Sequence, residues 1–274
     1  MAPADKIEVV NLSDTGRRRP HNEDSTLSDP NLGLVILADG MGGYKAGEVA
    51  SALAVTAIYK EISSDLEQIL SGSRDKKAGS SPQSRLVRDA ITHANSGIYE
   101  TAQRDSQCHG MGTTIVVVLF CNGAVTVGHV GDSRLYRKRG NDFRQITKDH
   151  SLIQELIDRG MYTPEEAVAN TPKNLVTRAL GIENRVEVEV NEEPTMRGDI
   201  YLLCSDGLND MVDDEEIHLT LSKYSANLIQ AAEELVGLAN RKGGKDNISV
   251  IIIRVLDIKS GSGGLIKQLV SRFF

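Results

Sequence analysis

The chain contains no tryptophan, and aromatic residues make up only 4% of its 274 positions. Its core must therefore be built mainly from aliphatic side chains. Cysteine is also scarce, and the three present, Cys108, Cys121 and Cys204, form no Cys-x-x-Cys pair. This spacing excludes paired-cysteine zinc sites and thioredoxin-like redox motifs. Thiols within or beside apolar runs are typical of buried residues in a reducing, cytoplasmic compartment.

Long apolar runs are absent as well, since no stretch approaches the roughly 20 residues that cross a bilayer. The first residues also lack the hydrophobic region of a secretory signal. Acidic residues outnumber basic ones, which gives a formal net charge of −7. A general nucleic-acid binder needs a cationic face. We therefore expect a soluble cytoplasmic protein with no membrane span and no nucleic-acid partner, and we assume a monomer.

Hydrophobic residues account for 40% of the chain, enough for the core of one large domain. Runs rich in Val and Ile predict strands at about 7–12, 34–38, 113–120, 123–130, 133–138, 186–190, 199–204 and 248–255. The three strands between 113 and 138 are separated only by short breaks that contain glycine, which is typical of an antiparallel meander.

Helical periodicity is found in two stretches, and each predicts a helix with one buried stripe. The stripes are Val87, Ile91, Ala94, Ile98 and Leu228, Ala232, Leu235, Ala239. A third helix is predicted over 46–62, and Thr163-Pro-Glu-Glu166 predicts a short capped helix. Segment 71–84 has almost no apolar residues and is predicted to be a mobile loop between two helices. Separate blocks of strands and helices indicate an α+β fold.

Four carboxylates lie beside these predicted strands, although they are far apart in the chain. They are Asp39, Asp132, Asp206 and Asp246. Any one Asp-Gly or Asp-Asn pair is typical of a turn. An ionised carboxylate at a buried strand end is costly unless a cation shares it. Several meeting at one place would form a site for a hard divalent ion, Mg²⁺ or Mn²⁺ rather than zinc.

A basic tract, 17–19, precedes the first of these carboxylates and runs into Glu23 and Asp24. The guanidinium fork of arginine matches phosphate oxygens. We assign this function to Arg19 alone and expect Arg17 and Arg18 to be solvated.

Eight blocks of the sequence together resemble one family. They are Arg19-Pro-His-Asn-Glu-Asp24, Ala38-Asp-Gly-Met-Gly-Gly43 with Ala46-Gly-Glu48, Gly110-Met-Gly-Thr-Thr114, Gly128-His-Val-Gly-Asp-Ser-Arg134, Asp149-His-Ser151, Thr177-Arg-Ala-Leu-Gly181, Cys204-Ser-Asp-Gly-Leu208 and Asp246-Asn-Ile-Ser249. In this order, over about 7–255, they closely resemble the metal-dependent protein phosphatases of type 2C, the PPM family, in their bacterial form. Each block is weak alone, but the set is very specific.

The resemblance implies a phosphatase domain over 1–257: a central β-sandwich of two mainly antiparallel sheets flanked by helices on both sides, in four αββα layers. It also implies residue roles. Asp39, Asp206 and Asp246 would be direct metal ligands, Gly40 would offer its carbonyl, and Asp132 would hold a third, weaker metal with Asp206. Glu23 and Asp24 would orient metal-bound waters, Asn247 would support the site from behind, and Arg19 would bind the phosphate.

The implied activity is hydrolysis of phosphoserine and phosphothreonine on proteins, opposing a kinase, by a hydroxide that bridges two Mn²⁺ or Mg²⁺ ions. No nucleophilic serine or cysteine is assigned. Two alternatives stay open: a pseudophosphatase that binds phosphoproteins as a scaffold, and a phosphohydrolase of small phosphate esters. The choice between Mn²⁺ and Mg²⁺ stays open too.

The chain departs from its relatives where they place histidines, because Met41 and Tyr44 stand at those positions. A metal-bound water or His21 is then the candidate acid for the leaving group. His129 and His150 are interpreted as structural.

Two further segments carry hypotheses. Segment 152–174 matches the flap of bacterial relatives and is expected to influence which phosphoprotein is accepted. Residues 258–274 read as a flexible linker and a short amphipathic tail, which could dock on its own domain or bind a partner or a membrane surface.

Overall fold

The computed structural model describes residues 5–43, 46–71, 80–172 and 175–258 of the chain. Its strands are β1 Lys6–Asp14, β2 Asp24–Asp29, β3 Leu34–Met41, β4 Gly112–Thr113, β5 Ile115–Cys121, β6 Ala124–Val130, β7 Arg134–Arg139, β8 Asp142–Gln145, β9 Glu189–Pro194, β10 Ile200–Cys204 and β11 Ile248–Asp257. Its helices are α1 Ala46–Ser71, α2 Pro82–Arg104, α3 Leu152–Asp158, α4 Pro164–Asn170, α5 Asp206–Asn209, α6 Asp214–Lys223 and α7 Leu228–Arg241, with a 3-10 turn at Ser106–Cys108.

The strands form two sheets, and within each sheet every pair of neighbouring strands is antiparallel. The first sheet has the order β1-β11-β10-β7-β8. The second has the order β2-β3-β5-β6-β9, with β4 paired to β3. The predicted meander is therefore split, because β5 and β6 stay in the second sheet while β7 begins in the first.

The alternation of side chains along β5 explains the layers. Val116 and Val118 belong to the core between the two sheets, whereas Val117 and Leu119 pack in a core that includes α1 and α2. On the other sheet, Leu202 of β10 packs in a third core with α5, α6 and α7. Because successive residues of a strand face opposite ways, one apolar run can contact both layers. The predicted four-layer αββα sandwich is confirmed.

The helices predicted from hydrophobic periodicity and capping signals are present in the structure. Both predicted stripes are buried along their whole length in α2 and α7. The capping box of α4 also forms, because Thr163 Oγ1 accepts from the Glu166 amide while the Glu166 carboxylate accepts from the Thr163 amide. The α1 helix continues nine residues beyond its predicted end at 62.

Some elements differ from the prediction. Strands β2 and β8 and helix α6 were not predicted, and the strand expected at 186–190 lies at Glu189–Pro194. Part of segment 71–84, predicted as a loop, is helical: Ser71 ends α1, and residues 82–84 begin α2, where Ser81 caps the helix and Pro82 takes its first turn. Residues 72–79 lie outside the described part. The predicted tail lies outside it as well, except for residue 258. Among the described residues, no helix has the length and hydrophobicity needed to cross a membrane.

Candidate metal centre

One end of the sandwich brings the four predicted carboxylates together. Asp39 lies near the end of β3, Asp206 follows β10, Asp246 precedes β11, and Asp132 lies in the turn between β6 and β7. They line one cavity of about 250 Å³, which we call the acidic cavity; Arg19, Glu23 and Gly40 line it too. The structure therefore places the predicted ligands and the predicted phosphate-binding arginine around a single space.

The acidic cavity lies where the two sheets meet. Asp39 belongs to the second sheet, whereas Asp206 and Asp246 flank neighbouring strands of the first. Asp132 lies where the chain passes from the second sheet to the first. Residues remote in sequence thus converge because each one lies at a strand end on the same edge of the sandwich.

Burial, together with neighbouring carboxylates, raises the pKa values of Asp39, Asp132 and Asp206. Burial, followed by the charges of Asp24 and Asp206, raises the pKa of Asp39 well above its ordinary value. Burial, followed by the charges of Asp132 and Asp246, does the same to Asp206. For Asp132, burial and then the charge of Asp149 raise the pKa to about 6. Cations bound within the cluster would favour the ionised form of each of these groups.

Asp24 stands behind this cluster, directly opposite Asp39 in the β2–β3 pairing. Its Oδ2 accepts from Ser205 Oγ at 2.8 Å. Its Oδ1 is buried and has no hydrogen-bond partner among the described residues. Burial raises the pKa of Asp24 to about 6. A buried acceptor that lacks a donor is the position where a water held by a metal would fit.

At Gly40 the backbone lies very close to neighbouring carbonyl groups. A Cβ atom there would lie 2.2 Å from the Gly47 carbonyl oxygen and 2.6 Å from that of Glu23. Only glycine fits, so the backbone itself reaches the wall of the acidic cavity. Carboxylate and carbonyl oxygens are the donors that hard divalent cations prefer. The donor set therefore fits Mg²⁺ or Mn²⁺.

Arg19 provides the positive charge at the rim. Its Nη2 donates to Asp246 Oδ2 at 2.6 Å, and this hydrogen bond raises the pKa of the arginine. The side chain keeps 46% of its surface exposed. An arginine so placed can reach both a carboxylate of the cluster and an anion that enters from solvent.

Asn247 connects the two loops that carry these groups. Its Oδ1 accepts from the Glu23 amide at 2.8 Å, and its Nδ2 donates to the carbonyls of Thr15 and His21 at 2.9 and 2.8 Å. The residue is 4% exposed. Its backbone amide also donates to Asp246 Oδ1. The residue therefore fixes the loop with Arg19 and Glu23 against the loop with Asp246.

Sequence reasoning missed a second group of positioning residues. Thr114 Oγ1 accepts from the Asp39 amide at 3.1 Å and hydrogen-bonds with Ser133 Oγ at 2.8 Å. Ser205 Oγ accepts from the Ser249 amide at 3.0 Å while it donates to Asp24. Thr114, Ser133 and Ser205 all belong to family blocks, and the two serines directly adjoin Asp132 and Asp206, which is the signal that could have identified them.

The histidines lie in two different settings. His21 is exposed, and its carbonyl is the atom that Asn247 binds. His129 and His150 stack with ring centroids 4.8 Å apart, and burial lowers both pKa values. His150 Nδ1 accepts from the Gly131 amide. The His150 ring therefore holds the turn before Asp132, while His129 packs against it and hydrogen-bonds with the Lys148 carbonyl.

The cysteines show no sign of activation. All three are buried and free. Burial raises the pKa of Cys204 to about 12, so its thiol is protonated at neutral pH. A protonated thiol is a weak nucleophile.

The described part of the flap segment, residues 152–172, contains helices α3 and α4; residues 173 and 174 fall outside it. Ile153 and Val168 line a cavity of about 210 Å³ that also contacts Asp132 and Asp206. The segment thus lies beside the acidic cavity. Met41 lines the acidic cavity itself, whereas Tyr44 is outside the described residues.

Comparison with known proteins gives consistent matches. The family model described as Protein phosphatase 2C matches residues 17–240. A serine/threonine phosphatase stp of Listeria welshimeri is 38% identical, and the alignment covers 88% of this chain and 93% of that protein. The serine/threonine protein phosphatase PstP of Mycobacterium tuberculosis is 39% identical, over 91% of this chain and 45% of that longer protein.

Solved structures agree with this result. The crystal structure of the Mycobacterium tuberculosis phosphatase PstP/Ppp superposes with a TM-score of 0.80 at 36% identity, covering 91% of this chain and 99% of that one. A PstP catalytic domain in complex with two manganese ions superposes with a TM-score of 0.77 at 37% identity, covering 92% and 99%. The order of the motifs, the four-layer sandwich and these similarities agree, and the chain belongs to the protein phosphatase 2C family.

Proposed function

We propose that this protein is a metal-dependent serine/threonine protein phosphatase whose reaction takes place in the acidic cavity. The observation that carries the proposal is the convergence of Asp39, Asp132, Asp206 and Asp246 with Arg19 around one space. The reaction is hydrolysis of a phosphate monoester: water enters, the serine or threonine hydroxyl leaves, and inorganic phosphate is released. Relatives named as serine/threonine phosphatases support this substrate class.

The carboxylates and one backbone carbonyl are the groups that would hold the metal ions. Asp39, Asp206 and Asp246, with the Gly40 carbonyl, would hold two Mn²⁺ or Mg²⁺ ions, and Asp132 with Asp206 would hold a third more weakly. Bound divalent ions supply activation of water near neutral pH and neutralise phosphoryl oxygens. A related catalytic domain contains two manganese ions, which supports manganese as the first choice.

The chain's own side chains bind and orient the substrate. Arg19 lies at the rim with its guanidinium half-exposed, so it can bind phosphoryl oxygens bidentately and set the orientation of the ester. Glu23 and Asp24 orient water within the acidic cavity. Asn247, Thr114 and Ser205 hold these groups in place through hydrogen bonds to their backbones or carboxylates.

We further propose that residues 1–257 form the phosphatase domain, that the flap segment 152–174 influences the choice of phosphoprotein, and that 258–274 form a linker and tail. Within a cell, such an enzyme would oppose a serine/threonine kinase. A cytoplasmic location is proposed because all three thiols are free and buried. We propose a monomer.

The proposal can be tested by measuring phosphate release from phosphothreonine and phosphoserine peptides with and without Mn²⁺. The Asp206→Asn variant should lose at least about a hundredfold in kcat/KM, because a metal ligand is removed. The Asp257→Asn variant makes the same change at an exposed strand end and should keep wild-type activity. Binding of phosphopeptides without turnover would favour a scaffold, and turnover of small esters alone would favour a small-ester phosphohydrolase.

A further inference from the structure

A second cavity, of about 480 Å³, adjoins the acidic cavity and shares Arg19 and Asp246 with it. Its other charged lining residues are Arg18, Lys245 and Asp210. Asp210 also lines the flap cavity together with Asp206, which places it on the side towards the metal centre. We call this space the basic side pocket. It is joined to the acidic cavity through the Arg19–Asp246 pair.

Backbone contacts hold together the two loops that form the basic side pocket. The amides of Arg17 and Arg18 both donate to the Gly244 carbonyl, at 2.7 and 3.1 Å. Gly16 has φ +79°, and a Cβ atom there would lie 2.1 Å from the Asp246 carbonyl oxygen. The arginine tract and the loop before β11 are thus packed backbone to backbone. This packing holds Arg18 and Lys245 on adjoining loops around one space.

Two of the three cations that line this pocket have no partner among the described residues. The side chains of Arg18 and Lys245 are exposed, and neither makes a hydrogen bond or an ion pair with any residue that the structure describes. Arg19 differs, because it binds Asp246. The lining carries three cations against the two carboxylates of Asp210 and Asp246, an excess of one positive charge in a protein of net charge −7. This excess favours an anionic group on this side of the site.

We propose that the basic side pocket binds a second anionic group of the substrate, within about three residues of the phosphorylated residue that is hydrolysed. The proposal rests on the proposed function. An extended peptide advances about 3.3 Å per residue, so a neighbouring side chain can enter the adjoining pocket while the first phosphate occupies the acidic cavity. The group is a second phosphate or a carboxylate, since both match guanidinium and ammonium donors. Arg18, predicted to be merely solvated, thereby becomes a specificity-determining residue.

Exposed ion pairs contribute little individually, so this pocket acts on selectivity rather than as an independent anion site. We expect peptides with a second phosphate or a glutamate at positions −3 to +3 to show a position at which kcat/KM is about five- to tenfold higher than for the singly phosphorylated peptide. The higher kcat/KM should come from a lower KM with an unchanged kcat, because the second anionic group does not touch the reacting atoms.

The Arg18→Gln/Lys245→Gln double variant should reduce this advantage to about twofold or less, while hydrolysis of the singly phosphorylated peptide stays within about twofold of wild type. Arg17→Gln is the matched control, since it removes the same charge from the neighbouring residue, which does not line the pocket. It should keep the preference. Glutamate and phosphate peptides distinguish the two kinds of anionic group, and a preference for either supports the proposal.

Two results would overturn the inference and leave the phosphatase function intact. One is turnover of the singly phosphorylated peptide with no gain from a second anionic group at any position. The other is an equal loss of preference in Arg17→Gln and in the double variant, which would indicate a general field rather than a pocket. Failure of the wild-type protein to hydrolyse any phosphopeptide with Mn²⁺ would instead refute the proposed function itself.

Discussion

Replacing Asn247 by alanine tests how the site is held together. The substitution removes three hydrogen bonds, one to the Glu23 amide and two to the carbonyls of Thr15 and His21. At about 1 kcal/mol for each bond, the free energy of unfolding should fall by about 3 kcal/mol. For a domain of this size, that loss corresponds to a decrease in Tm of about 6–12 °C.

The same substitution should weaken manganese binding, because the loops that carry Glu23 and Asp246 lose their connection. Thermal unfolding measured in a chelator reports the stability loss, and calorimetric titration with Mn²⁺ reports the change in affinity. Asn191→Ala is the control, since its exposed amide makes only a 3.4 Å contact with Glu189. A Tm within about 2 °C of wild type, together with unchanged manganese affinity, would refute the role assigned to Asn247.

Four other predictions follow from the site. Burial raises the pKa of Asp24 and Asp132 to about 6. The folded protein therefore binds more protons than the unfolded chain between about pH 4 and 6, and the stability of the metal-free protein should fall as pH rises through that window. The increase in Tm produced by Mn²⁺ should consequently grow from pH 5 to 7, and a constant increase would contradict the pKa shifts. His21→Ala should keep the acidic limb of the pH–rate profile, because the side chain is exposed; loss of that limb would make His21 the leaving-group acid. Exchanging segment 152–174 for that of a relative should change selectivity among phosphopeptides but not the hydrolysis of a small ester, and unchanged selectivity would argue against the flap hypothesis. A disulfide reagent should react with Cys204 only after unfolding, and fast reaction of the folded protein would show that the thiol is not buried as described.

The sequence predicted the interior of the fold better than its edges. Strands β5, β10 and β11 were predicted within three residues, because their apolar runs are buried on both faces. Strands β2, β8 and β9, by contrast, lie at sheet edges. Their side chains are polar and partly exposed, so neither hydrophobic alternation nor Val and Ile content marks them.

Helix α6 was missed for a related reason, since its periodicity is weak and the buried set is small. Its capping box, Asp213 with Glu216, was present in the sequence as a start signal. For the site, motif spacing was enough to select the acids that meet. It could not select Thr114 or Ser205, because a hydroxyl bonded to the Asp39 amide or to the Asp24 carboxylate depends on tertiary contacts.

The location of the acidic cavity between the two sheets has a mechanical consequence. Asp39 reaches it from one sheet, and Asp206 and Asp246 reach it from the other. Any ion held by all three therefore cross-links the sandwich at that end. Relative sliding of the layers should become harder, and slowed amide hydrogen exchange should extend along β3, β10 and β11 well beyond the ligands themselves.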